Sequence, residues 1–158
     1  MHSIAAVRSS GGAADYFAND NYYTAEENAE AGVWAGEGAR DLGLAGPVER
    51  DAFEAILNGH LPDGDKVGQV EGRRVGLDLA FSMPKSASIL ALVSGDRRIL
   101  DAHLAAVRST MAQLVEKQFA EARNYERSRN GEPERTGNLV YALFAHDTSR
   151  ALDPQGHI

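Results

Sequence analysis

A phenol, a carboxylate and a pair of imidazoles are the groups in this chain whose types and spacing could support chemistry. Tyr16, Tyr22 and Tyr23 crowd the first part of the sequence, beside Asp15, Asn19, Asp20 and Asn21. A phenol with an unperturbed pKa near ~10 is a poor nucleophile at neutral pH and needs a metal, a base or an in-line electrophile to become useful. Taken alone, the cluster reads as rings that pack or cap a loop. Five histidines occur. His2, His60 and His103 fit ordinary places: a strand edge, a polar turn, and a helix position beside an apolar seam. His146 differs, because it ends an alternating segment in which Val140, Ala142 and Phe144 share its face, and His157 follows after a loop containing Pro154. If the chain folds back there, the two imidazoles meet on adjacent antiparallel strands. Two histidines form an incomplete ligand set, and such pairs are more often structural than metal-binding. The glycine-rich stretch Gly36-Glu37-Gly38-Ala39-Arg40-Asp41-Leu42-Gly43 misses the dinucleotide spacing and has no Lys-Ser/Thr of a phosphate loop, so it reads as backbone punctuation.

The elements that must position these groups follow from local pattern. Ser3 to Val7 is a short apolar run closed by Arg8-Ser9-Ser10-Gly11-Gly12, which suits a first strand and a turn, with a short helix from Ala13 to about Ala18. Residues 19 to 46 show no sustained period and read as loop or short helical turns, with Trp34 as the apolar anchor. A helix is predicted over 47 to 58, since Pro47 fits its first turn and Val48, Phe53, Ile56 and Leu57 mark one face. Val75, Leu77, Leu79 and Phe81 alternate with Gly76, Asp78 and Ala80, the period of a strand, and this places Asp78 opposite the main apolar row. Ser82-Met83-Pro84 then starts a helix that ends near Gly95. The clearest helix carries Ile99, Leu100, Leu104, Val107, Met111, Leu114 and Phe119 at helical spacing and is predicted to reach about Asn124. A polar hairpin around Asn130-Gly131-Glu132-Pro133 precedes a strand over Leu139 to His146.

A chain of 158 residues with 43% hydrophobic residues suffices for one core and one domain. It has no apolar stretch of membrane-spanning length and no secretory signal, so a cytoplasmic location is expected. Without cysteine, any metal must be held by His, Asp or Glu. The net charge of -7, from 23 acidic and 16 basic residues, argues on its own against nucleic-acid binding unless the fold gathers basic groups locally.

Seven phrases weigh against that charge argument: Ser3-Ile4-Ala5-Ala6-Val7-Arg8-Ser9; Asp20-Asn21-Tyr22-Tyr23; Trp34-Ala35-Gly36-Glu37-Gly38-Ala39; Leu61-Pro62-Asp63-Gly64; Gly76-Leu77-Asp78-Leu79-Ala80-Phe81-Ser82-Met83-Pro84-Lys85-Ser86; Thr136-Gly137-Asn138-Leu139-Val140-Tyr141-Ala142-Leu143-Phe144; and His146-Asp147-Thr148-Ser149-Arg150. In this order, along nearly the whole chain, they resemble the TrwC-type conjugative relaxases of the HUH endonuclease superfamily. The resemblance implies an α/β (α+β) fold, an antiparallel sheet with helices packed on one face and a metal site on the other. It implies site- and strand-specific nicking of single-stranded DNA at an origin of transfer through a 5'-phosphotyrosyl link. By resemblance Tyr16 is the first nucleophile and Tyr22 and Tyr23 match a second tyrosine pair, while Phe17 stands where a paired tyrosine can occur. Asp78 matches a carboxylate that orients a histidine ligand or accepts the tyrosine proton. His146 and His157 match two of three ligands to a divalent ion, Mg or Mn. Lys85 and Arg150, the basic residues inside two of the phrases, are the implied DNA contacts.

Relatives continue as His-x-His, whereas this sequence reads Gln155-Gly156-His157-Ile158, with Gly156 where an apolar residue is usual. Residues 1–158 are therefore expected to form a partial, C-terminally truncated relaxase domain that ends within its metal-binding motif, binds metal weakly and is impaired in nicking. The rival expectation is a non-catalytic remnant, a DNA-binding or interaction module. Partners under either reading are single-stranded origin DNA and other conjugation proteins.

Overall fold

The computed structural model describes residues 2–18, 32–68, 73–123, 131–149, 151 and 153–158, with 15–18 described by their backbone alone. The elements in order are β1 (His2–Val7), α1 (Ser10–Ala18), β2 (Val33–Ala35), α2 (Glu37–Asp41), α3 (Arg50–Leu57), β3 (Gly76–Phe81), α4 (Lys85–Leu92), α5 (Arg97–Thr110), β4 (Glu121–Arg123), β5 (Pro133–Arg135), β6 (Tyr141–Leu143), β7 (His146–Thr148) and β8 (Pro154–His157). Between α5 and β4 the helix continues as a wider π-type segment over Met111–Phe119. Among the described residues no helix is long and apolar enough to cross a membrane.

All strand pairs are antiparallel. β1 runs against β3 from His2 opposite Phe81 to Val7 opposite Gly76. β2 pairs with β6, β4 with β5, and β7 with β8. A bridge between Ser82 and His157 joins β3 to β8, and the N–H groups of Phe81 and Ile158 donate to each other's carbonyls at 2.8 and 3.2 Å. Side chains alternate between the faces of a sheet, so the register sorts the residues. Leu79, Phe81 and Ile158 share one face and pack with Val107 and Met111 beneath the helix, together with Leu143 of β6. Asp78, Ala80, Ser82, His157 and His146 share the other.

The predicted alternation of β3 is thus observed, and its apolar row meets α5 through the helical stripe containing Val107 and Met111. His103 Nε2 donates to the Phe81 carbonyl at 2.9 Å, tying that helix to the strand. Asp96 caps α5 by accepting from the Arg98 N–H. Three predicted boundaries move. The segment read as loop or short helical turns contains the short helix α2 and also a strand, β2, held by long-range pairing rather than by a period of its own. The long helix stops at Phe119 instead of near Asn124, because Glu121–Arg123 pairs with Pro133–Arg135. The strand expected over Leu139 to His146 is two short strands, β6 and β7, separated by Phe144 and Ala145.

Candidate catalytic face of the sheet

His146 stands directly opposite His157 in the β7–β8 ladder, with ring centroids 5.1 Å apart and planes at 80°. The strand alternation read from the sequence had brought these rings together if the chain turned back, and it does. His157 Nδ1 lies 3.0 Å from the Gln155 carbonyl. A carbonyl only accepts, so Nδ1 carries the hydrogen and Nε2 of the neutral ring keeps its lone pair. His146 is 9% exposed and its Nε2 is shielded from solvent. Two imidazole nitrogens on paired strands, one with its tautomer fixed by a backbone carbonyl, suit a divalent cation in donor chemistry. Among the described residues no group of three His, Asp or Glu converges as a complete ligand set.

The strand carrying His157 is fixed by the phrase that follows β3. Gly156 N–H donates to Ser88 Oγ at 3.1 Å, and Ser88 is fully buried. Met83 N–H donates to the Gly156 carbonyl, and Gln155 Nε2 donates to the Met83 carbonyl. Gly156 is where an apolar side chain was expected. A Cβ there would fall 2.1 Å from Met83 Cε, so the methionine side chain already fills that volume. Lys85 Nζ donates to the Pro154 carbonyl at 3.0 Å and lies 3.8 Å from Asp153 Oδ2. The lysine read as a DNA contact is therefore seated on the first residue of β8.

Asp78 lies on the histidine face, and it lines with His146 and His157 a cavity of about 260 Å³ to which α1 contributes Ala13 and α3 contributes Phe53. Tyr16 belongs to α1 by its backbone, one turn beyond Ala13. Tyr22, Tyr23 and Arg150 lie outside the described residues. The structure thus brings Asp78, His146 and His157 to one cavity and puts the helix of Tyr16 at its wall.

Sequence reasoning passed over Glu116, Ser88 and Gln155. Glu116 is 2% exposed, and its Oε1 accepts from the N–H groups of Glu37 at 2.7 Å and Leu139 at 2.9 Å. Burial, and secondarily the Glu116 carboxylate, raises the Tyr141 phenol above its ordinary 10.0. Ser88 and Gln155 carried no sequence signal, since each acts through a contact some seventy residues away or through its own backbone.

An antiparallel sheet with helices on one side and paired histidines on the other defines the class of α/β protein present here. Over residues 10–158 the chain matches the TrwC relaxase family model, and it belongs to that family. It is 44% identical over 162 residues to the multifunctional conjugation protein TraI of Escherichia coli K12, and 43% identical to a second Escherichia coli TraI. Its fold is similar to the conjugative relaxase TrwC solved with oriT DNA in metal-free form (TM-score 0.81, 38% identity) and in metal-bound form (TM-score 0.82, 37% identity). It is also similar to TrwC complexed with a 27-mer DNA comprising the recognition hairpin and cleavage site (TM-score 0.79). These matches cover 99% of this chain, but 9% of each TraI and about half of each TrwC chain, 54% in the metal-bound form.

Proposed function

We propose that this chain is part of a relaxase domain that recognises single-stranded DNA at an origin of transfer and contributes the nucleophile and two metal ligands for nicking it. The observation that carries the reading is the register that sets His146 opposite His157 on the same sheet face as Asp78, around a cavity walled in part by α1. Tyr16 is the proposed nucleophile: its phenol oxygen forms a bond to the scissile phosphorus, the bond to the 3' oxygen breaks, and that oxygen leaves as a hydroxyl with a proton. Asp78 is the proposed acceptor of the tyrosine proton or the group that orients an imidazole. His146 and His157 would hold a divalent ion, Mg or Mn, which when bound polarises a phosphate oxygen and offsets transition-state charge. Tyr22 and Tyr23 are proposed for a further strand transfer, and Lys85 and Arg150 for contact with the phosphate backbone. Other conjugation proteins are the further partners, and the cytoplasm is the setting.

The test is covalent capture. Incubated with Mn²⁺ and an oligonucleotide carrying the oriT strand of a relative, the chain should form a protein–DNA adduct that peptide mapping places on Tyr16. Tyr16→Phe should abolish it, and an adduct mapping only to Tyr22 or Tyr23 would refute the assignment. Sequence-selective binding of that strand without any adduct, under conditions where a relative's relaxase cleaves, would instead establish the rival reading of a non-catalytic DNA-binding module.

A further inference from the structure

Antiparallel strands alternate two kinds of residue pair, those that exchange both main-chain hydrogen bonds and those that stand between them. Along β3 and β8, Phe81 and Ile158 exchange both bonds, and Ser82 opposite His157 is the intervening pair. The next pair, Met83 and Gly156, is due to exchange both again, yet only the bond from the Met83 N–H to the Gly156 carbonyl follows the ladder, at 3.0 Å. Side chains take over the other half. Gly156 N–H donates to Ser88 Oγ at 3.1 Å, and the Met83 carbonyl accepts from Gln155 Nε2 at 2.9 Å.

On its opposite edge β8 is bulged at the same place. His157 faces His146 and Pro154 faces Thr148, so β8 takes three steps where β7 takes two. A bulge leaves main-chain groups without ladder partners, and buried groups of that kind need others. Here the Gln155 carbonyl turns to the imidazole two residues on and accepts from His157 Nδ1 at 3.0 Å. The tautomer of His157 therefore depends on the bulge. Ser88 in turn holds the bulge from α4, where it is fully buried and is not among the residues that line the histidine cavity. Without the Ser88 oxygen, the buried Gly156 N–H has the Met83 carbonyl as its regular ladder acceptor. Taking that acceptor displaces the Gln155 amide and draws β8 toward an unbulged ladder. The Gln155 carbonyl then leaves His157 Nδ1, and the ring reverts to the Nε2–H tautomer that a free imidazole favours.

We infer that Ser88, together with the Gln155 side chain, is a positioning residue for His157: the two hold a bulge that fixes the Nδ1–H tautomer and leaves Nε2 as the donor atom. That this nitrogen serves a metal rests on the function proposed above, whereas its tautomer does not.

The test is heteronuclear NMR on the 158-residue chain with its histidine ring nitrogens isotopically labelled, first without metal and at about pH 8, above the ~6.5 of an unperturbed imidazole. His157 should be the Nδ1–H tautomer. Ser88→Ala and Gln155→Met should each shift it to Nε2–H or to a mixture of the two. Gln155 is half-buried at the strand rather than inside the helix, so its variant decides the question where Ser88→Ala does not fold. Ala91→Gly is the control, since Ala91 is buried three residues further along α4 and its loss weakens the helix without removing the Gly156 acceptor. Retention of Nδ1–H in either folded variant, or the same shift in Ala91→Gly, would overturn the proposal. Mn²⁺ is then added, and paramagnetic broadening of the His157 ring should need roughly tenfold more ion in the two variants. If Mn²⁺ broadens neither histidine of the unsubstituted chain, the two-ligand reading falls, and the tautomers still decide the role of Ser88.

Discussion

The two ends of the β6–β7 segment carry buried polar groups that differ in kind. Before β6, Glu116 meets the backbone N–H groups of Glu37 and Leu139, so a carboxylate from the helix staples α2 and the strand entry together. After β6, His146 faces His157 across a ladder, and the fixed group is the ring nitrogen that points back to a backbone carbonyl. The first arrangement spends its acceptor inside the chain and reads as architecture. The second leaves an imidazole lone pair on a cavity wall, where it can serve a ligand. Burial of a titratable group therefore does not mark function by itself; what its hydrogen bonds leave over does.

Removing the staple gives the largest expected effect. Glu116→Ala leaves two N–H groups without their acceptor in a buried setting and should cost roughly 3 kcal/mol of unfolding free energy, measured by urea denaturation. Glu116→Gln keeps a carbonyl oxygen for both donors and should lose only about 1 kcal/mol. Equal losses for the two variants would show that the charge and not the acceptor matters, and the contrast drawn with the histidine end would fail.

Much of the histidine end was legible in the sequence, and little of the Glu116 end was. Alternation from Val140 to His146 gave the face, because a period of two records which side each residue takes, while the pairing with His157 followed only if the chain folded back. Asp78 was likewise placed opposite the apolar row of β3, where the register confirms it. Glu116 sits in a helix whose period announces only its apolar stripe, so a charged residue there reads as solvated until its partners near Glu37 and Leu139 are seen. β2 escaped for a related reason: three residues are too few to show a period, and its support comes from β6.

Two glycines sharpen the contrast at a middle scale, since both face crowded space but with neighbours of different stiffness. Gly36 has φ of 101°, and a Cβ there would fall 2.3 Å from the Leu139 carbonyl oxygen, a backbone atom that accepts from the Gly38 N–H. Gly36→Ala should cost about 2 kcal/mol from left-handed strain and overpacking together. At Gly156 the obstacle is the terminal methyl of Met83, which can rotate away. Gly156→Ala should cost about 1 kcal/mol or less, and Met83→Ala should remove most of that penalty in the double variant. A Gly156→Ala loss that persists unchanged in the Met83→Ala background would mean that β8 is constrained by its backbone, through Ser88, rather than by this packing.

The smallest effect concerns a charge at the start of α5. Asp96 caps α5 and accepts from Arg98 through the backbone N–H at 3.2 Å, Nε at 2.8 Å and Nη2 at 2.7 Å. The Arg98 side-chain hydrogen bonds hold its carboxyl below the ordinary 3.8, against a smaller opposing push from desolvation. A folded pKa below the unfolded one means the carboxylate's contribution is complete above the unfolded value and is lost as pH falls through the folded one. Asp96→Asn keeps a capping oxygen but discards the charge. The melting temperatures of the two proteins should therefore differ slightly near pH 6, and the gap should close as pH is lowered toward about 2 and shrink with added salt. A gap that stays constant down to that pH would assign the difference to cap geometry, and the Arg98 ion pair would then have no measurable part in holding the start of the helix.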